Sequence, residues 1–165
     1  PIDLWRPEKV SNLEITINAE GSWSYRGSSI DRPRLTRLFS TLLRLEDDGD
    51  YYLITPEEKY RIEVNDVPFV AILMQQVGHG RRQSLSFTTN MGDVTTLNDK
   101  HRLRIDTNVK SGEPSPYVMV RDGLEAKLSR NVYYQVIGLL EEKGGRLGIW
   151  SENVFFELLE SSECF

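Results

Sequence analysis

The sequence predicts an α+β protein of two related β-β-α-β-β units, the second enlarged into a bent sheet or partial barrel covered by one helix. Three observations lead there. An apolar skeleton recurs at a spacing of 94 residues: Leu38, Phe39, Leu42 and Leu43 fall on Val132, Tyr133, Val136 and Ile137, while Trp23, Tyr25 and Ile30 fall on Tyr117, Met119 and Leu124. The same spacing sets Tyr60, Ile62 and Val64 on Val154, Phe156 and Leu158. Each copy centres on one helical stripe, and short alternating segments broken by Gly, Pro and Asp flank both. Identical letters at this spacing are few (Leu53/Leu147, Glu58/Glu152, Glu63/Glu157), so a coincidence of two β-helix-β units stays open. A true repeat would create a seam between its copies, a place where ligands often bind.

Residues 33–45 form the clearest element. Leu35, Leu38, Phe39, Leu42 and Leu43 recur at i, i+3, i+4, i+7 and i+8, the stripe of an amphipathic helix. Asp31 is the expected N-cap, and Pro33 suits the first turn, where a missing N–H costs no intrahelical bond. The acidic run Glu46-Asp47-Asp48-Gly49-Asp50 is expected to stop the helix, with Gly49 free to become left-handed. Upstream, Ser22-Trp23-Ser24-Tyr25 alternates as a strand and Gly27-Ser28-Ser29 forms a turn. Downstream come a strand at 51–55, a turn at Pro56-Glu57-Glu58 and an alternating strand at 60–64.

The second half repeats this order. A strand at 117–121, a tight turn at Asp122-Gly123 and a return strand at 124–128 precede a helix capped by Ser129. Its apolar face is Val132, Tyr133, Val136, Ile137 and Leu140, and Gly144-Gly145 is expected to break it before strands at 146–150 and 154–159. Between the halves lie strand-like segments at 69–77, 85–89, 94–97 and 102–105, and residues 110–116 are the most loop-like of the chain. Two domains are expected, 1–66 and 67–165.

The composition is that of an ordinary soluble globular chain: 165 residues, 39% hydrophobic and 27% charged. No apolar run approaches the roughly 18 residues of a membrane span, and nothing at the start marks secretion. The chain opens at Pro1 without Met, which suggests trimming. A single Cys164 offers no internal disulfide and fits a reducing compartment, so a cytoplasmic place is expected. The net charge is −5, yet residues 67–110 carry six Lys and Arg against three acidic residues. An acidic chain with a basic middle is a poor non-specific nucleic-acid binder, although a basic strip can take a small anion.

Catalytic motifs are sparse. Only His79 and His101 accompany Cys164, so no zinc site is expected. Asp47-Asp48-Gly49-Asp50 lacks the alternating ligands and terminal Glu of a calcium loop and is expected to be a solvated turn. Gly78-His79-Gly80 lacks the Lys-Ser/Thr of a phosphate loop, and no nucleophile elbow occurs. Arg81-Arg82-Gln83-Ser84 is expected at a hairpin tip. Arg102, Arg104 and Asp106 share one strand face opposite Leu103 and Ile105, suited either to an anion or to cross-strand salt bridges. Trp23, Tyr25, Tyr51, Tyr52, Tyr117 and Trp150 are expected mostly in the core.

Four stretches carry a family resemblance. They are the run from Leu45 to Lys59, LEDDGDYYLITPEEK; Trp23-Ser24-Tyr25-Arg26-Gly27-Ser28-Ser29-Ile30; Phe87-Thr88-Thr89-Asn90; and the run from Pro116 to Ala126, PYVMVRDGLEA. With them the chain resembles the uncharacterised bacterial family known as domain of unknown function 1285. The resemblance implies a duplicated α+β core, a pleckstrin-homology-like C-terminal half, a site for a nucleotide-like ligand between the halves, and a role in signalling.

The expected function is therefore a non-catalytic sensor or adaptor, binding a small anionic ligand or a protein partner. Arg44, Lys59, Arg104 and Arg121 are the candidate anion contacts, Tyr117 the stacking residue, and Glu46 and Asp48 the groups that orient the cations or bind ligand hydroxyls. No cofactor and no metal are expected. Two alternatives stay open: a hydrolase or transferase using Glu46, Asp48 or Glu58 as base, and an interaction module using an exposed sheet edge.

Overall fold

The computed structural model describes residues 2–107 and 114–160. The chain divides into two units, one comprising Pro1–Phe69 with Asp122–Leu124, the other Val70–Arg121 with Glu125–Phe165. Each holds one α-helix among many strands, so the described residues are mostly β.

In the first unit, strand β1 (Lys9–Ile17) precedes β2 (Trp23–Tyr25), β3 (Ser28–Ser29), helix α1 (Pro33–Thr41), β4 (Leu43–Leu45), β5 (Tyr51–Ile54) and β6 (Glu58–Val64). Sequence reading passed over β1, although Leu13, Ile15 and Ile17 alternate and the last two are buried. The sheet runs β3-β2-β1-β6-β5-β4, antiparallel except for the parallel pair β1 and β6. Between the pairs Asn12↔Arg61 and Thr16↔Glu63 the register shifts, so residues 13–15 stand opposite Ile62 alone. Such a bulge bends the strand and re-aims its side chains.

The helix departs from its expected form in three ways. It ends at Thr41, and Leu43 becomes the first residue of β4, paired with Leu53. The acidic run therefore ends no helix; it forms the β4–β5 turn, where Gly49 has φ +85°. The N-cap is Arg32, without a side-chain cap, while Asp31 accepts a hydrogen bond from Ser29 Oγ at 2.8 Å. The buried helix positions are Thr36 and Ser40, and Leu38 stays 56% exposed. The hydroxyls make this possible because each returns to the helix backbone: Thr36 Oγ1 donates to Pro33 O (3.2 Å), and Ser40 Oγ to Arg37 O (2.6 Å). A buried hydroxyl with a partner costs far less than one without. Phe39 supplies the apolar contact, stacking on buried Trp23 at 6.2 Å between centroids. Ser28-Ser29 likewise is a short strand, with the turn at Arg26 and Gly27, both at positive φ.

The second unit contains β7 (Phe69–Val77), β8 (Ser84–Thr89), β9 (Val94–Thr96), β10 (Leu103–Thr107), β11 (Pro114–Arg121), β12 (Leu124–Leu128), α2 (Arg130–Ile137), β13 (Glu141–Lys143), β14 (Arg146–Ser151) and β15 (Val154–Glu160). Of the loop expected at 110–116, residues 110–113 lie outside the described residues, as does Cys164, and Pro114-Ser115-Pro116 opens β11. The larger sheet runs β10-β11-β12-β7-β8-β9 and curls into a half-barrel. Its curl brings β9 back to β11, where Thr95 Oγ1 donates to Met119 O at 3.2 Å. Asp122 and Gly123, at φ 46° and 82°, make the tight turn between β11 and β12. Ser129 caps α2 by accepting from Val132 N, and buried Val132 and Val136 hold the helix down. Gly144-Gly145 does not break α2, which ends at Ile137 with Gly138 as its cap; the pair turns β13 into β14, both at positive φ.

Hairpin, helix and three-stranded meander thus follow one another twice, as β2-β3-α1-β4-β5-β6 and β11-β12-α2-β13-β14-β15. The second meander stands as a separate three-stranded sheet. Its anchor is Ser151, whose hydroxyl accepts from Leu85 N (3.0 Å) and donates to Leu97 O (2.7 Å). Gln83 adds a second tie by donating its amide to Trp150 O at 2.9 Å.

Ser151→Ala leaves a buried N–H and a buried carbonyl short of a partner and is expected to cost about 1–3 kcal/mol. Thermal unfolding measures it; an unchanged melting temperature would show that the anchor carries no weight.

Candidate functional site

Residues facing one another across adjacent strands share a face of the sheet. Arg44 pairs with Tyr52, Tyr52 with Arg61, and Arg61 with Asn12, so these four form one row across β4, β5, β6 and β1. Lys59, two residues before Arg61, lies on the same face. Tyr52 is only 1% exposed, yet it is surrounded by charge. Lys59 Nζ lies 4.6 Å and the Arg61 guanidinium 5.3 Å from its ring centroid. The charged heads themselves lie over the ring as cation–π partners.

The polar groups close a network. Tyr52 Oη donates to Asp48 Oδ2 (2.6 Å) and accepts from Arg61 Nη2 (2.8 Å). Arg61 also donates to Asp50 Oδ2 (3.1 Å) and Asn12 Oδ1 (3.2 Å), and Lys59 Nζ to Glu46 Oε1 (2.9 Å). The β4–β5 turn fixes Asp48 in place, because its other oxygen accepts from Asp50 N at 2.9 Å. Arg44 donates to the carbonyl of Trp5 (2.8 Å) and to that of Ile2. Beside this row a shallow groove of about 440 Å³ is lined by Asn12, Asp50, Tyr51, Arg61 and Glu63, next to the β1 bulge.

Hydrogen bonds lower the proton affinity of two carboxylates in this sheet. The Tyr52 hydrogen bond, then the Asp50 N–H, hold the Asp48 carboxyl below its ordinary value, and the same bond pushes the Tyr52 phenol up. Glu58 is lowered chiefly by the Ser11 hydroxyl, which donates to it, with Lys9 3.7 Å away. Both carboxylates are therefore weak proton acceptors at neutral pH.

Four of the sequence-derived candidates, Arg44, Glu46, Asp48 and Lys59, gather around Tyr52 in the first unit. Arg104, Tyr117 and Arg121 belong to the second. There Arg104 faces Tyr117 across β10 and β11, its guanidinium 4.3 Å from the buried ring, and donates twice to Glu125 at 3.0 and 3.1 Å. Arg121 lies 4.0 Å from Asp93. Every candidate cation thus already holds an internal partner. Sequence reading missed Tyr52, Arg61 and Asn12 as members of one cluster. The alternation of β5 and β6 carries the first two, but Asn12 joins only through a pairing between residues 49 apart. Among the described residues no group of three or more His, Cys, Asp or Glu is placed to hold a metal ion, and no helix is long and apolar enough to cross a membrane.

Residues 1–67 match the family model "Domain of unknown function (DUF1285), N-terminal domain", and residues 68–158 match "Protein of unknown function (DUF1285), C-terminal domain". Among solved structures, a DUF1285 family protein from Silicibacter pomeroyi DSS-3 is 40% identical, with a TM-score of 0.95 over 99% of this chain and 89% of that one. A DUF1285 family protein from Shewanella baltica OS155 is 29% identical, with a TM-score of 0.59 over 76% of this chain and 91% of that one. No curated protein matches the chain.

The lowered pKa of Asp48 sets the sign of an acid effect. Its bond to Tyr52 contributes stability above the ordinary carboxylate range, and that contribution is lost as pH falls through the depressed pKa. Tyr52→Phe removes the bond, so carboxyl-detected NMR should show Asp48 titrating closer to an ordinary aspartate. An unshifted titration would disprove the tyrosine's role.

Proposed function

This chain belongs to the DUF1285 family, and from that premise we propose that it is a non-catalytic sensor or adaptor in signalling that binds a small anionic, nucleotide-like ligand. One observation carries the reading: the cations and carboxylates around Tyr52 form closed pairs, with Asp48 held below its ordinary pKa value, as is Glu58 beside Ser11 and Lys9. General acid–base catalysis near neutral pH favours the opposite, a carboxylate raised toward neutrality. A binding protein needs only a charge pair that a ligand can open.

The pair Lys59–Glu46 is the one we assign to that exchange. Both side chains are partly exposed, 21% and 25%, and the ammonium sits over the Tyr52 ring. A ligand phosphate or carboxylate would replace Glu46 on Lys59. In this proposal Arg44, Arg104 and Arg121 remain anion contacts, Tyr117 a stacking surface for a base, and Glu46 and Asp48 partners for ligand hydroxyls. A cytoplasmic place belongs to the same proposal and is supported by the lone Cys164. So does a pleckstrin-homology-like second unit, supported by a curled sheet followed by a helix.

A second reading, a protein-interaction module, draws on the outer face of β7, β8 and β9. Leu73 and Val94 flank Thr88 there, Val77 faces Ser84, and all three aliphatic side chains are exposed. Uncharged aliphatic surface of this kind suits a partner.

A thermal-shift screen with nucleotides and anionic metabolites tests the proposal. A true ligand at a hundredfold excess over its Kd stabilises the fold by about 2.7 kcal/mol. Glu46→Gln frees Lys59 and is expected to raise the affinity of that ligand, whereas Lys59→Glu is expected to abolish the shift. If no anion raises the melting temperature, the small-ligand reading fails.

A further inference from the structure

We propose that the exposed face of α1 is a docking surface for an acidic protein segment carrying an apolar anchor. The proposal uses none of the residues around Tyr52 and does not rest on the small-ligand reading.

Three features of the helix meet on this face. Arg34, Arg37 and Leu38 stand at i, i+3 and i+4 and therefore lie together, with Arg32 just before the first turn. Leu38 is turned outward at 56% exposure because Thr36 and Ser40 occupy the buried side. Arg32, Arg34, Leu35, Arg37 and Leu38 line an open groove of about 850 Å³. Asp31, its one carboxylate, takes the hydrogen bond from Ser29.

The guanidiniums are what select the occupant. Among the described residues, Arg32, Arg34 and Arg37 make no hydrogen bond, ion pair or ring contact through their side chains, whereas Arg26, Arg61, Arg104 and Arg146 each face a carboxylate. The helix itself contains no acidic residue. A chain with a net charge of −5 thus carries three guanidiniums without an ion-pair partner, against the single carboxylate of Asp31, on one short surface. Clustered like charges repel one another until a counter-charge arrives, and an incoming carboxylate can take two parallel bonds from each guanidinium. Arginine is also a preferred energetic anchor at interfaces, and an exposed leucine among arginines provides the apolar contact that fixes register.

Competing occupants fit less well. Membrane binding by a surface helix needs a broad apolar face, and α1 shows one exposed leucine beside arginines. A nucleic acid would meet the field of a net acidic chain. An acidic segment with an apolar side chain matches both the charge and the shape.

The test uses the whole chain and a short fluorescein-labelled peptide with glutamates flanking leucines at helical spacing. Anisotropy should report saturable binding that weakens as salt rises. The double reversal Arg34→Glu and Arg37→Glu is expected to weaken it at least about tenfold, and Leu38→Ala about threefold or more. These positions are exposed, so the melting temperature should hold in both variants, and Lys100→Glu should leave binding unchanged. The proposal is overturned if the peptide does not bind or binds the double reversal equally well. It also falls if phosphatidylserine vesicles capture the chain in an Arg34- and Arg37-dependent way while the peptide does not. A thermal-shift screen that finds no small ligand leaves this outcome untouched, so the two proposals fail separately.

Discussion

The parallel pairing of β1 with β6 is the constraint on which the first unit depends. A parallel pair cannot be closed by a tight turn, so the chain between them must complete a long excursion before returning. The hairpin, the helix and the first two strands of the meander lie within that excursion. Without the pairing, the six-stranded sheet would fall into two separate three-stranded pieces, β3-β2-β1 and β4-β5-β6. The pairing also sets the row Asn12–Arg61–Tyr52–Arg44, because it alone brings β1 beside β6. The bulge within β1 is where this row meets the shallow groove.

One physical device recurs in the two units. In the first, Arg61 lies across from Tyr52 and is held by Asp50; in the second, Arg104 lies across from Tyr117 and is held by both oxygens of Glu125. In each the aromatic ring is buried, the guanidinium covers it, and a carboxylate fixes the guanidinium. Lids of this kind let a small sheet bury a large ring on a face that would otherwise need another layer of structure. They also explain why clustered arginines and carboxylates in the sequence do not of themselves mark a ligand site: most of that charge is already matched within the fold.

Local patterns were legible and long-range ones were not. Strands from 69–77 through 154–159, the Asp122-Gly123 turn and the Ser129 cap follow from alternation, turn chemistry and capping, and the structure places them close to expectation. Those signals act over a few residues. β1 was equally periodic, between Pro7 and the turn at Asn18 to Gly21, but its partner lay too far along the chain to suggest itself. α1 misled because its leucines satisfy the helical period, while the choice of buried face was decided by hydroxyls that find partners in their own backbone. The candidate site was legible as a set of charged residues. Its centre, Tyr52, was not, because only the registers of three strand pairs show which charges it gathers.

The outward leucine of α1 bears on how copies of the chain meet one another. An exposed aliphatic side chain ordinarily invites self-association. Here any two copies approaching through this face would bring arginine against arginine in a setting that sheds water and so strengthens repulsion. Charges placed in this way act as gatekeepers, opposing self-association through the leucine without hiding it. High salt, which screens that repulsion, is the condition under which the same leucine would become an aggregation hazard.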